Sequence, residues 1–409
     1  MTSASPAEPT FPASPRIRFG VQSTMRAGLR GTDNALGIVR LVLASLVIFD
    51  HAFPLGGWGH DPVLDLTGGQ ATLGSIAVGG FFAISGYLIA KSGQTADVVQ
   101  FLWRRVLRIF PAFLVVLIVT AFAVGPVLWL LEGRSLGAYF TTGAGGPFAY
   151  ITANWTLTIG QWGIHDLLVT TTPYGESTGI SAFNGSLWTL RYEWWCYLVI
   201  AVFVLFAVIT RARAIVVATT VFFGILQVVQ DAAPGTVAAI VPWLADPYTI
   251  SLGFTFLIGS CIALYADKVP LDDRLIAFAG ALVIATLAFG GYSTIGTIAI
   301  VYLSLAAGAR LPKAVRWIGA KNDYSYGVYI YGFLVQQVMA YFQVFKLGYL
   351  PFVLIAVVLA LGLGWLSWHG IEKHAMKLKS WGPGRGVAYW LGRARSRPGS
   401  GSGSASVSS

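Results

Sequence analysis

Residues 36–55 read LGIVRLVLASLVIFDHAFPL, an apolar run interrupted by Arg40 near its start and by Asp50 and His51 near its end. About twenty helical residues are needed to cross a hydrocarbon core roughly 30 Å thick. A helix is the default conformation for such a run, because every backbone N–H and C=O must be satisfied without water. The stretch therefore predicts a membrane-spanning helix.

Apolar runs of similar length recur from here to about residue 370, and no run alternates like a barrel strand. Two weaker runs, 147–163 and 236–245, are interpreted as re-entrant or interfacial segments. The sequence predicts an all-α polytopic membrane protein, a bundle of about ten transmembrane helices. The predicted spans are 36–55, 71–91, 110–131, 186–209, 213–230, 248–266, 275–290, 295–309, 323–343 and 350–369.

The composition agrees with this class. Of 409 residues, 56% are hydrophobic and 11% are charged, whereas soluble domains carry about 25% charge. These values exclude an ordinary cytosolic enzyme, a disordered protein and a nucleic-acid binder. Cys196 and Cys261 lie in apolar runs without metal-type spacing, so we expect no disulfide framework, metal site or redox cofactor.

The distribution of basic residues predicts the orientation. Counting alternate loops from the N-terminus puts 23 of the 27 Lys and Arg residues on one side, which the positive-inside rule assigns to the cytoplasm. Ten spans then place both termini in the cytoplasm, in a multi-pass protein of the inner cell membrane. The net charge of +10 is mostly a consequence of this topology.

Three parts of the chain follow from these spans. Residues 1–35 form a polar, basic N-terminal tail that includes Arg16 and Arg18 and has no signal-peptide pattern. Residues 36–370 form the transmembrane domain, whose long outside loop at about 132–185 is a candidate lid or acceptor-binding surface. Residues 371–409 form a basic, Gly/Ser-rich tail that we expect to be disordered and cytoplasmic.

Few ionisable residues lie within the predicted spans, and such residues indicate function when they face the bundle interior. Arg40 and His51 are eleven residues apart, so they share one helical face about 16 Å apart along the axis. The alternative is an arginine that extends to the headgroups and a histidine at the opposite interface. Glu193, within SLWTLRYEWWCY at 186–197, is expected at the depth of His51. For Arg191 we favour a charge pair in an aromatic belt.

Three further segments contain candidate binding residues. Arg104 and Arg108 of FLWRRVLRIFP at 101–111 share a helical face, with Arg105 beside them, and either bind phosphate or anchor a span. Ser85 and Gly86 permit either close helix contact or the approach of a ligand. The aromatic ladder DYSYGVYIY at 323–331, with Tyr329, either lines a pocket or anchors an interface.

Taken together, these motifs resemble the acyltransferase 3 family of integral membrane acyltransferases, over roughly residues 33–380. The resemblance rests on their order: Arg40 with His51, FFAISGYLI at 81–89, the 104–111 arginine motif, the 186–193 motif and the 324–331 motif. Two positions differ from the family pattern. Gly332 stands where a histidine is expected, and His374 stands where a proline is expected.

The resemblance implies a transferase that moves an acyl group, usually acetyl, from cytoplasmic acyl-CoA to a hydroxyl of a sugar or glycan. It also implies that Arg40 and His51 are the functional pair and that the cytoplasmic arginines bind the coenzyme. Acetyl-CoA is then a donor substrate, and no cofactor is permanently bound. The acceptor, a carbohydrate or a lipid-linked glycan, stays open, as does the oligomeric state.

Acyl transfer to an alcohol needs a base for the hydroxyl and positive charge near the developing oxyanion. We assign the base to His51, oriented by Asp50 or Glu193, with a covalent acyl-histidine as a variant. Candidate donor contacts comprise Arg104, Arg105, Arg108, Ser85, Gly86 and Tyr329. The alternative function is a secondary transporter or flippase that uses Arg40, His51 and Glu193 as a polar path, although no internal repeat is visible.

Overall fold

The computed structural model describes four ranges of the chain, namely 21–31, 33–140, 143–319 and 321–395. Helices dominate these ranges. Their regular β-structure consists of two short strands, β1 (Val21–Thr24) and β2 (Pro270–Asp272), which pair antiparallel with Ser23 opposite Leu271. The predicted class, a mostly helical protein with several membrane-spanning helices, is confirmed.

Each predicted span coincides with a long helix in the described ranges. Seven of these helices are long and apolar enough to cross a membrane. The other three, Thr189–Leu205, Asp273–Phe289 and Ser325–Tyr341, have 17 residues each. The number of crossings and the side of the termini therefore stay predictions. The helices are α1 (Leu36–Leu55), α2 (Leu73–Gly93), α3 (Val98–Leu131), α4 (Thr189–Leu205), α5 (Arg213–Ala232), α6 (Pro247–Leu264), α7 (Asp273–Phe289), α8 (Tyr292–Arg310), α9 (Ser325–Tyr341) and α10 (Tyr349–Ser380).

Short helical segments connect the long helices. The α-helical ones are Met25–Gly28, Pro62–Leu66, Leu136–Tyr139, Pro147–Asn154, Pro173–Thr178, Val208–Arg211, Thr236–Ile240 and Val387–Arg395. The 3-10 turns are Pro242–Leu244, Lys313–Val315, Val344–Leu347 and Gly382–Arg385. The weaker apolar runs 147–163 and 236–245 thus contain only short segments. At 1.5 Å per residue, none of these segments can cross a bilayer.

Helix α2 lies at the centre of the bundle and packs against α1, α6 and α8, while α9 packs between α1 and α10. Small residues bring α2 and α6 together. A methyl group on Gly86 would lie 2.0 Å from the backbone oxygen of Phe256, and one on Gly259 would lie 2.2 Å from that of Ala83. Such close approach is typical of membrane helices. Gly86 therefore faces α6, which agrees with the expectation of close helix contact, and its role as a coenzyme contact stays a prediction.

The C-terminal region is more ordered than its composition predicts. Helix α10 continues to Ser380, and residues beyond it are attached to α3. Gln100 Nε2 donates a hydrogen bond to the carbonyl of Gly384 (3.0 Å), and the Val387 amide donates to Asp97, the residue that caps the start of α3 (3.1 Å). This corrects the predicted disordered tail for residues 371–395. The Gly/Ser run after Arg397, together with Arg16 and Arg18, lies outside the described residues.

Candidate active site

His51 lies near the C-terminal end of α1 and lines a cavity of about 370 Å³, which we call the histidine cavity. Its ring packs edge-on against Phe333 of α9, with ring centroids 5.1 Å apart. Nδ1 is shielded from solvent and has no hydrogen-bond partner among the described residues. Packing therefore holds the imidazole in place, and no charged side chain among the described residues pairs with it.

The carboxylates predicted to orient His51 point elsewhere. Asp50 precedes His51 in the helix, so the two side chains diverge by about 100°. Asp50 Oδ2 lies against α2, where a methyl group on Gly74 would come within 2.5 Å of it. Neither Asp50 nor Glu193 forms a hydrogen bond to His51 in the described structure, which corrects the predicted orienting role.

The histidine cavity has a polar but uncharged character apart from Asp50 and His51. It contains no Lys or Arg among its lining residues, all of which belong to the described ranges. Its size is typical of small-molecule pockets, which measure about 300–1,000 Å³. The aromatic and hydroxyl side chains in its wall are those of Trp188, Tyr248, Tyr292, Tyr329, Thr72, Ser75, Ser251, Thr255, Ser293 and Thr297.

A narrow space of about 40 Å³, which we call the passage, adjoins the histidine cavity. The two share Val78 and Tyr329 in their walls. Tyr329 is fixed there by a 2.5 Å hydrogen bond with Thr189 of α4 and by an edge contact with Phe81. The predicted pocket-lining role of this tyrosine agrees with its position at the boundary.

Glu193 and Ser85 lie in the wall of the passage. Glu193 Oε1 accepts hydrogen bonds from Tyr197 (2.5 Å) and Ser85 (3.1 Å). Glu193 also lines the arginine cavity described below and is absent from the wall of the histidine cavity. The expectation that Glu193 lies at the depth of His51 stays a prediction.

The passage continues into a third space of about 110 Å³, the arginine cavity. The passage and this cavity share Arg40, Phe81, Ser85, Glu193 and Tyr326 in their walls. The three spaces therefore adjoin one another in a series that runs from His51 to the arginines of α3.

Arg104 and Arg105 line the arginine cavity without a charged partner. No hydrogen bond or ion pair joins either guanidinium to another described residue, and the Nε atom of each is shielded from solvent. Arg105 contacts the rings of Phe101 and Tyr197 at 5.7 and 5.9 Å. Guanidinium groups in this state are suited to bidentate binding of phosphate.

Arg108 differs from its two neighbours, because acidic residues of other helices neutralise it. Its guanidinium donates to Asp323 (2.6 Å) and to Glu372 (3.0 Å), whose side chain is 1% exposed. Asp323 also pairs with Arg40. Largely buried cations require counter-charges of this kind. Arg108 therefore belongs to an ion-pair network, and it also lines the arginine cavity. Its role as a phosphate ligand stays a prediction.

The two acids of this network were missed by the sequence analysis. Asp323 precedes α9, and a π-helical turn at Trp368–Glu372 in α10 brings Glu372 toward α3. Ser325 and Ser367 each donate a hydrogen bond to one of the acids, at 2.6 and 3.0 Å. The available signal was charge balance, since Arg40 and Arg108 within an apolar bundle require nearby acids.

Two other expectations are resolved by direct contacts. Arg191 donates to Asp246 at 2.7 Å beside the rings of Trp188 and Tyr192, which agrees with a charge pair in an aromatic belt. A side chain on Gly332 would meet Ile48 within 2.8 Å. The missing family histidine at this position is therefore explained by the close contact of α9 with α1.

The loop at 132–185 contains His165, Asp166 and Glu176. Arg134 donates to both carboxylate oxygens of Asp166, at 2.5 and 2.9 Å, and this contact lowers the pKa of Asp166 below its ordinary value. His165 donates a hydrogen bond through Nε2–H to the carbonyl oxygen of Tyr139 (2.9 Å). These contacts connect segments of the loop to one another. A role as lid or acceptor surface stays a prediction.

Comparison with known proteins gives the family. The acyltransferase domain model of the acyltransferase 3 family matches residues 33–369. An O-acetyl transferase of Shigella phage Sf6 is 30% identical over 362 residues, which cover 85% of this chain and 97% of the phage protein. Nodulation protein 10 of Rhizobium leguminosarum bv. viciae is 27% identical over 387 residues, covering 86% and 95% of the two chains. No solved structure matches significantly. The chain therefore belongs to the acyltransferase 3 family and is a multi-pass membrane acyltransferase.

Proposed function

We propose that this protein transfers an acetyl group from acetyl-CoA to a hydroxyl group of a sugar or glycan. The main support for the proposal is the series of three adjoining spaces, because it has unpaired arginines at one end and an unpaired histidine at the other. Bound phosphates need cations, and an attacking hydroxyl needs a base. The similarity to a phage O-acetyl transferase supports acetyl as the transferred group.

The donor enters the series of three spaces from the arginine cavity. Arg104 and Arg105 bind the phosphates of the coenzyme, while its slender pantetheine arm extends through the passage. The thioester then reaches the boundary with the histidine cavity, at Tyr329. The excess of basic residues near the arginine end supports a cytoplasmic position for the coenzyme.

The acceptor occupies the histidine cavity, whose aromatic rings and hydroxyl side chains suit a polyhydroxylated ligand. His51 takes the proton as the acceptor oxygen attacks the thioester carbonyl carbon. The tetrahedral intermediate then collapses, the C–S bond breaks, and the proton passes from His51 to the departing sulfur. We propose that the Tyr329 hydroxyl group donates a hydrogen bond to the carbonyl oxygen of the thioester. The products are an O-acetyl ester and coenzyme A.

The test uses purified protein in liposomes with radiolabelled acetyl-CoA and a crude envelope-glycan fraction as acceptor. We expect release of coenzyme A that depends on the acceptor, together with label in the glycan. A wild-type protein that neither binds nor consumes acetyl-CoA would overturn the proposal, and counterflow assays for transport would then be the next measurement.

A first prediction concerns the unpaired arginines. Replacing Arg104 or Arg105 with Gln removes a charge-assisted bond to phosphate, so the Kd for acetyl-CoA should rise about tenfold or more. Arg134→Gln is the matched control, because that guanidinium is held by Glu132 and Asp166 in the loop. Calorimetric titration measures each Kd. An unchanged Kd in both arginine variants would contradict the phosphate role.

A second prediction concerns the passage. Val78→Trp places a bulky ring between the histidine cavity and the passage, so transfer should fall at least tenfold because the thioester no longer reaches His51. Binding of adenosine 3′,5′-bisphosphate, which has the phosphates but no arm, should persist. Ile118→Trp, at an exposed position of α3, is the control. Wild-type transfer by the Val78 variant would contradict the route.

A further inference from the structure

The two charged groups of the passage have complementary chemistry. Its described wall contains Arg40 as a hydrogen-bond donor and Glu193 as an acceptor, together with four apolar side chains and the hydroxyl groups of Ser85, Thr189, Tyr326 and Tyr329. A charged acid is costly in such a place unless a partner satisfies it. The pair therefore suggests a ligand that brings both hydrogen-bond donors and acceptors into a narrow space.

The hydrogen bonds of Glu193 leave one of its oxygens available. Both bonds, from Tyr197 and Ser85, go to Oε1. Oε2 accepts no hydrogen bond from the described residues. Glu193 also forms no ion pair with Arg40 or Arg105 among them. Arg40 donates to Asp323 through Nη1 alone. The other guanidinium nitrogens of Arg40 form no hydrogen bond in the described structure.

From this geometry we infer that Glu193 and Arg40 form an amide-binding subsite, in which Glu193 accepts an amide N–H and Arg40 donates to an amide carbonyl of a linear chain. The ligand class is a slender chain with secondary amides, and the pantetheine arm of the proposed donor belongs to this class. The inference rests on the proposed function and adds the specific recognition of the arm. Amides that enter an apolar space must keep their hydrogen bonds, so such a subsite stabilises the threaded donor.

The alternative is that Glu193 only balances the charge of the arginines. The two roles predict opposite effects on phosphate binding. A charge-balancing acid weakens the binding of phosphate nearby, so its removal should tighten the binding of any nucleotide. An acid that binds the arm should affect only ligands that possess the arm.

Glu193→Gln separates these roles with little change in shape. The amide oxygen of Gln keeps the place of Oε1 and still accepts bonds from Ser85 and Tyr197, while its NH₂ group replaces the free oxygen with a donor. Calorimetric titration with coenzyme A and with adenosine 3′,5′-bisphosphate compares ligands with and without the arm. Glu176→Gln, at an exposed site in the loop, is the matched control.

We expect Glu193→Gln to raise the Kd for coenzyme A about tenfold to a hundredfold and to leave the Kd for adenosine 3′,5′-bisphosphate unchanged. Equal weakening of both ligands, tighter binding of both, or no change in either would overturn the inference. Glu193→Ala provides a second variant with the same expected pattern. If the wild type binds neither ligand, the proposed donor itself is wrong, which distinguishes that failure from failure of the subsite alone.

Discussion

His51→Ala should reduce acetyl transfer by about 10²–10⁴-fold, the usual contribution of a general base. The imidazole is the only histidine side chain that lines the three spaces in the described structure, and its Nδ1 has no other partner. Neither acid forms a hydrogen bond to His51 in the described structure, since Asp50 points toward α2 and Glu193 lies in the passage. The measurement is the initial rate of coenzyme A release in liposomes.

Two comparisons make this result specific. The Kd for coenzyme A should stay at its wild-type value in His51→Ala, because His51 does not line the arginine cavity. His60→Ala should transfer acetyl normally, since that histidine is exposed and bonds only to Asp65 at 2.9–3.0 Å. If His51→Ala turns over at the wild-type rate with donor bound, His51 is not the base.

Asp323→Asn should lower the free energy of unfolding by about 3–5 kcal/mol, the usual effect of removing one partner of a buried ion pair. Asp323 pairs with both Arg40 and Arg108, and their side chains are between 15% and 21% exposed. Arg108 keeps Glu372, but Arg40 is left without an acid within ion-pair distance in the described ranges. Denaturant unfolding in detergent measures the change.

The control is an ion pair at the surface. Asp33→Asn removes the partner of Arg316 at a site where Asp33 is 71% exposed, and it should cost less than about 1 kcal/mol. Arg40→Met combined with Asp323→Asn should be less destabilised than the sum of the single variants, because removing both charges leaves less unpaired charge. Equal effects of Asp323→Asn and Asp33→Asn would contradict the importance of the network.

The positions of the helices follow closely from the sequence. Each of the ten predicted spans corresponds to a long helix, since hydropathy depends on local composition and backbone bonding leaves few alternatives in lipid. The weaker run 147–163 contains only the short helix Pro147–Asn154. Helix ends are less accurate. The run at 186–209 corresponds to a helix that begins only at Thr189 and ends at Leu205.

The site was predicted in part. Spacing within one helix places Arg40 and His51 on one face, and it identifies the arginines of α3 as a group. Spacing cannot show which residue of another helix neutralises which arginine, because Asp323 lies 283 positions from Arg40 and 215 from Arg108. Arg108, which is ion-paired, can be distinguished from the unpaired Arg104 and Arg105 only when these distant partners are known.

The small size of the passage also has a consequence for the cell that houses this protein. A channel joining the two faces of a membrane would dissipate the ion gradients on which the cell depends. A space of 40 Å³ holds only a few water molecules, and its apolar wall at Val78 and Phe81 disfavours a hydrated ion. If the two outer cavities open on opposite sides of the membrane, as the proposed function requires, this constriction would act as an electrical seal and preserve the membrane potential.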